Sequence, residues 1–357
     1  MASLLERKLI VVTGKGGVGK STVACALGLA AVRQGLRTIV VELGAQHHLQ
    51  DLFATDGSNR DGPDSAWDTE PTGHLNATHH AHHAGRHHGE EIELQEGLWS
   101  TSIDPDRALA EWLQTLTGRI SARLLASSGT FQYFAAAAPG ARELVSMVKL
   151  RELCEGRSAT KSGSSDSRRE GRGRPAYDLV VLDAPASGHA LAMLRSPQTF
   201  SAIVRVGPLA EQAQALRDLL EDAKRSGYVA VTHASEMAVT ETLELEEGLR
   251  RELDRDLDAV IVNGTMPRRF SREELERISA ATNQANDAST GVTSAAAQMA
   301  RTINDRSRVQ LAQIARLRRQ RFAEGQPPVV LTVPFAFVQV LDLDAVGRIG
   351  DRLAGKI

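Results

Sequence analysis

Gly14, Lys15, Gly16, Gly17, Val18, Gly19, Lys20 and Ser21 follow the pattern G-x-x-x-x-G-K-[ST], with Thr22 directly after. Each part of that pattern has a chemical use. Glycines let successive backbone N–H groups wrap a chain of phosphates. A helix starting at the loop aims its positive end at the same anion. Lys20 is placed to reach β- and γ-phosphates, and the Ser21 hydroxyl to help coordinate Mg²⁺. A later run, VVLDAPASGHALAMLRSP (180–197), sets Asp183 at the end of an apolar stretch. A carboxylate there approaches Mg²⁺ or its water and senses the γ-phosphate. These residues predict a nucleotide site with Ser21 and Asp183 as the Mg²⁺ pair. Lys15 is left over, because an ordinary phosphate loop uses one lysine.

The motif has meaning only between a strand and a helix. KLIVVTG (8–14) reads as that strand and residues 20–34 as that helix. Further strands are expected at LRTIVVEL (36–43), YDLVVLDA (177–184), GYVAVTHA (227–234), DAVIVNG (258–264) and PPVVLTVP (327–334). They are nearly continuous apolar runs, as in strands covered on both faces of a parallel sheet. Their alternation with helical patterns predicts an α/β fold: a doubly wound, mostly parallel sheet with a helical subdomain inserted.

The 357 residues are read as a single phosphate-loop domain with interruptions. Residues 54–95 form a polar insertion containing HLNATHHAHHAGRHH (74–88), and 155–175 a Ser/Gly/Arg-rich loop. Both are too poor in apolar residues to pack. Residues 271–321 read as a polar helical segment, and 105–155 with 195–226 as the helical subdomain. Asp104 is a good N-cap and Pro105 a good first helical residue. Leu109, Trp112, Leu113, Leu116 and Ile120 then share a helix face.

Formal net charge is −2, which gives no global basic field for nucleic acid. Two cysteines, Cys25 and Cys154, cannot build a disulfide framework, and they fit a reducing cytoplasm. The N-terminus runs straight into a strand without the regions of a signal peptide, and no run of about 18 apolar residues occurs.

The string GKGGVGKST resembles the deviant phosphate loop of a dimeric ATPase class. That class includes arsenite-pump ATPases, tail-anchored-protein targeting ATPases, Min and Par positioning ATPases, and nitrogenase iron protein. The resemblance implies that Lys15 crosses a dimer interface to the partner subunit's nucleotide, as an arginine finger does. Asp183, Gly188 and His189 match the spacing of the Asp-…-Gly-His switch of the arsenite-pump and tail-anchored targeting branch, which Min and Par proteins lack. SIDPDRALAEW (102–112), APGARELVSMVKLREL (138–153) with Glu143, and VTHASEMAVTETLEL (231–245) with Glu236, Glu241 and Thr242 resemble other segments of that branch. By the same resemblance Asn263 reads adenine, whose edge suits an amide, and Pro334 and Phe335 flank it. The chain is most similar to actinobacterial-type anion-transporter ATPases, through GHALAMLRSP and AAPGARELV. The resemblance implies an ATP- and Mg²⁺-dependent ATPase. It would be a homodimer or a heterodimer with a paralogue, with a membrane protein partner or hydrophobic client and no nucleic acid. It would be cytoplasmic or peripheral at the membrane. Phe131, Tyr133, Phe134, Met147, Met193 and Leu194 are candidates for a client groove, the other reading being ordinary core, where apolar residues at helical spacing usually belong.

Two departures matter. The family's first switch carries an Asp that orients the attacking water, and Gly44 falls at that place here. Glu42 at the strand end, or Asp51, is the nearest substitute; the other reading of Glu42 is a buried acid capping a backbone amide. Without a substitute the protein is a nucleotide sensor that hydrolyses slowly. The family's thiolate metal sites are also missing, since Cys25 and Cys154 have no thiol neighbour and read as packing residues. Seven histidines between His74 and His88 invite Zn²⁺, Ni²⁺ or Cu²⁺, yet a tract without fixed geometry binds weakly. Two other rivals are a Min- or Par-like positioning ATPase, for which the C-terminus is a poor anionic-lipid helix, and a GTPase. Gly264 follows Asn263 where a guanine-reading Asp would be needed.

Overall fold

A computed structural model describes residues 3–44, 49, 89–112, 140–156, 176–203, 208–284, 290–319, 327–338 and 341–357. Eight strands form one sheet in the order β3-β4-β2-β5-β1-β6-β7-β8. They are β1 (Leu9–Gly14), β2 (Thr38–Leu43), β3 (Ile92–Gln95), β4 (Leu98–Ile103), β5 (Leu179–Ala186), β6 (Ser226–His233), β7 (Ala259–Thr265) and β8 (Val329–Pro334). Every pairing is parallel except that of the edge strand β3 with β4.

The helices are α1 (Lys20–Arg33), α2 (Ala141–Glu155), α3 (Ser187–Leu194), α4 (Ser196–Ile203), α5 (Pro208–Glu221), α6 (Glu236–Leu253), α7 (Arg272–Gln284), α8 (Thr290–Arg319) and α9 (Leu343–Ala354). One hydrophobic cluster lies under α1 and α9, and a second lies on the opposite face under α2, α3, α5 and α6. The expected doubly wound α/β fold is therefore present.

The central strands are buried along their length and lose burial only at their C-terminal ends. Side chains of β5, β6 and β7 emerge at Pro185, His233 and Asn263. β1 lies between β5 on one side and β6 on the other, so the chain changes direction across it. In open α/β sheets that crevice, beyond the strands' carboxyl ends, is where ligands sit.

Three expectations change. β4 is not among the expected strands because Ser100, Thr101 and Ser102 dilute its apolar character; all three are nevertheless buried. β3 takes up the last residues of the expected 54–95 insertion, alternating half-buried and exposed positions as an edge strand does. Met147, Met193 and Leu194 are not an open groove: they are core residues at 0%, 2% and 0% exposure. Phe131, Tyr133, Phe134 and the 74–88 tract lie outside the described residues, as does Asp51. The N-cap at Asp104 is made, its carboxylate accepting from the Asp106 amide at 2.9 Å. Within the 195–226 stretch expected in the helical subdomain, Ala213, Leu216, Leu219 and Leu220 of α5 are buried against the sheet.

Candidate nucleotide site

The loop between β1 and α1 is held by its neighbours rather than by itself. Gly14 closes β1 at φ 144°, and a Cβ there would collide with the Val231 carbonyl of β6. Gly17 and Gly19 sit at φ 79° and 88°, the left-handed region that side chains resist. A Cβ on Gly19 would run into the Asn263 amide. Val18 is buried and pins the loop to the core, while Gly16 and Gly17 at its crown are exposed. Thr13 Oγ1 donates to the Pro185 carbonyl at 3.0 Å, tying the ends of β1 and β5 together.

Several charged and hydroxyl groups lie around this loop. Ser21 Oγ donates to Asp183 Oδ2 at 2.5 Å. Two hard oxygen donors, one from the first turn of α1 and one from β5, are thus side by side, the donor set Mg²⁺ takes beside phosphates. Lys20 Nζ donates to the Lys15 carbonyl at 3.2 Å. Burial holds the Lys20 ammonium below its ordinary pKa, and the Asp183 charge opposes that fall. Lys15 Nζ pairs with Glu241 Oε1 of α6 at 2.5 Å, both side chains about one-third exposed (34% and 31%). Thr22 is half-buried in the first turn of α1.

At the other end of the crevice, Asn263 Nδ2 donates to the Val18 carbonyl at 2.9 Å. Its Oδ1 accepts from the Gly264 N–H at 2.9 Å. The predicted base reader is thus also a brace for the phosphate loop. Gln310 of α8 supports the same corner, accepting from Met266 N–H at 2.7 Å and donating to the Gly264 carbonyl at 3.3 Å. Phe335 N–H donates to the Thr265 carbonyl at 2.9 Å, which sets Pro334 and Phe335 beside the end of β7. The Phe335 ring meets Phe337 edge-on at 4.9 Å, and Arg269 lies over Phe337 at 5.4 Å. Phe335 is 48% exposed, so its ring is open to a ligand.

The sequence profile of the family described as Anion-transporting ATPase matches residues 7–208, a span from β1 to the start of α5. The chain belongs to this family. It is 26% identical over 277 residues to ATPase BagA of Mycobacterium tuberculosis, covering 76% of this chain and 68% of that one. It is 22% identical over 308 residues to ATPase GET3C of Arabidopsis thaliana, covering 75% and 69%.

In this anion-transporting ATPase family member, Glu42, one residue before the end of β2, is in register with Asp183 on β5. It is buried, and both its carboxylate oxygens accept from the Leu49 N–H at 3.3 Å. The amide-capping geometry is therefore made. Gly44, at φ 142°, carries no side chain into the site, but its carbonyl accepts from Ser102 Oγ at 2.5 Å. Gly188 and His189 open α3 and are exposed at the same end of the sheet. Cys25 and Cys154 are buried and form no disulfide, each thiol pushed up to about 12, first by burial, which makes them inert packing groups. Among the described residues no group of three or more His, Cys, Asp or Glu could hold a metal ion, and no helix is long and apolar enough to cross a membrane.

Of the residues that the sequence singled out, Gly14, Lys15, Gly16, Gly17, Val18, Gly19, Lys20, Ser21, Asp183 and Asn263 are gathered around one loop. Pro334 and Phe335 stand beside the end of β7, the strand that carries Asn263. No role was expected for the Gln310 side chain, which lies in no motif, or for the Val231 backbone, whose contact with Gly14 depends on sheet order.

Proposed function

We propose that this chain is a Mg²⁺-dependent ATPase working as a dimeric nucleotide switch. The observation that carries the reading is the convergence of Lys15, Lys20, Ser21 and Asp183 on one glycine-lined loop. The loop amides and Lys20 bind the β- and γ-phosphates, Lys20 leaving the Lys15 carbonyl to do so. Ser21 and Asp183 hold Mg²⁺, which when bound supplies Lewis-acid neutralisation of the phosphate oxygens. Lys15 crosses to the partner's nucleotide and neutralises charge that develops during transfer to water. Asn263 orients adenine, with Pro334 and Phe335 against its face. Gly188 and His189 relay the γ-phosphate state into α3, and through it to a helical region that holds a membrane protein partner or hydrophobic client. Glu42 is the acid nearest the missing switch Asp, and its carboxylate also holds the Leu49 N–H.

A second reading has its own observation. With Gly44 at the switch position and the Glu42 carboxylate engaged by Leu49, the chain would be a slow-turnover nucleotide sensor beside a catalytic paralogue.

ATP turnover and oligomeric state, measured together on wild type, Lys15→Ala and Glu42→Gln, decide between them. Lys15→Ala is expected to bind ATP yet lose at least about 100-fold in turnover, in line with fingers supplied in trans. A Lys15→Ala protein that dimerises and turns over like wild type would refute the switch. A wild type that binds ATP and dimerises without turnover would favour the sensor.

A further inference from the structure

The Lys15–Glu241 ion pair joins the phosphate loop to α6 within one chain. α6 has a second connection. Gly248, seven residues on from Glu241, packs so closely on α3 that a Cβ there would lie 2.5 Å from Leu191 Cδ1. Seven residues are two helical turns, so Glu241 and Gly248 share one face of α6 about 10 Å apart. α3 is the helix that opens with Gly188 and His189. One rigid helix therefore touches the second lysine at one point and the switch helix at another.

We infer that Glu241 is a positioning residue that holds Lys15 in cis until a partner's phosphates replace it. This inference rests on the reading of Lys15 as a residue used in trans. A lysine ammonium held by a carboxylate of its own chain cannot simultaneously extend to a second subunit. The carboxylate and the partner's phosphates therefore compete for one cation. The pair is partly exposed, so the hold is weak enough to be exchanged: such pairs shift an equilibrium by roughly two- to fivefold. A symmetric dimer breaks two of them, so the latch raises the dimer dissociation constant by about 4- to 25-fold. Movement of α3 on nucleotide binding reaches Glu241 through the Gly248–Leu191 contact, so the γ-phosphate state and the release of Lys15 share one element.

The test uses the full chain with Mg²⁺ and a non-hydrolysable ATP analogue, reading the monomer–dimer constant by sedimentation equilibrium. Wild type, Glu241→Gln, Lys15→Ala and the double variant are compared. Glu241→Gln is expected to tighten the dimer by about 4- to 25-fold, and to change nothing once Lys15 is Ala. An unchanged or weaker dimer in Glu241→Gln overturns the latch. So does equal tightening with and without Lys15, which would make Glu241 a surface charge acting on its own. Lys15→Ala that dimerises and hydrolyses ATP normally would instead remove the trans-lysine reading beneath it. Should Glu241→Gln melt early, Glu241→Asp, one methylene shorter, is subject to the same criteria.

Discussion

Asn263→Asp separates the two tasks of the base-side corner. The amide's orientation is fixed by its partners, because Gly264 offers only a donor and Val18 only an acceptor. Asp is isosteric and keeps one oxygen for the Gly264 N–H. Its second oxygen then faces the Val18 carbonyl across 2.9 Å, acceptor against acceptor. Losing the hydrogen bond costs about 1 kcal/mol, and leaving two part-buried acceptors opposed adds about 1–3 kcal/mol. If half of that falls on the loop's ability to wrap phosphate, ATP binding weakens by about 5- to 30-fold. The rest lowers the melting temperature by several degrees, at about 2–4 °C per kcal/mol. Asn263→Ala, which removes the brace without reversing it, should be milder. The assay is equilibrium binding of ATP, ADP and inorganic triphosphate, with thermal melts alongside. Triphosphate has no base, so its loss of affinity reports the loop alone. If Asn263→Asp binds triphosphate like wild type, or if Ala is the worse of the two, the brace argument is wrong.

Glu246 and Gly14 give two further tests. The Glu246 carboxyl is pushed up to about 7, chiefly by burial; the Leu257 N–H bond at 2.8 Å opposes the shift and Asp256 adds to it. Its folded-state value lies above the unfolded one, so its contribution is complete below about pH 4.5 and is lost as pH rises through 7. Glu246→Gln keeps an acceptor for Leu257 and should melt a few degrees above wild type at about pH 8, with the gap closed by about pH 5. A gap independent of pH would show that ionisation at this site is not the cause. Gly14→Ala should prevent stable folding or cost several kcal/mol, since its Cβ meets the Val231 backbone at a positive φ; a variant with wild-type melting and ATP binding would contradict the close β1–β6 approach.

Much of the site was legible in the sequence because its chemistry is local. Gly14 to Thr22 is one contiguous stretch, and a strand, a glycine turn and a helix N-terminus are specified by neighbours in the chain. The parallel core strands were legible for a similar reason, since burial on both faces demands continuous apolar runs. Where the pattern was diluted, as in the Ser100-Thr101-Ser102 centre of β4, or brief, as in the edge strand β3, the strand could not be read. Met147, Met193 and Leu194 could have lined a groove or filled the core, because apolar residues at helical spacing look the same in either place.

The chain's own order of residues specifies the phosphate loop, the succession of strands and helices, and the family. Which distant groups meet is settled only in three dimensions. Ser21 finds Asp183 across 162 positions, Asn263 braces Val18 across 245, and Lys15 pairs with Glu241 across 226. Local propensity fixes each element, but the crossover that places β6 and β7 on the far side of β1 sets which side chains share the crevice. Those pairings depend on sheet order, which no short window of sequence contains.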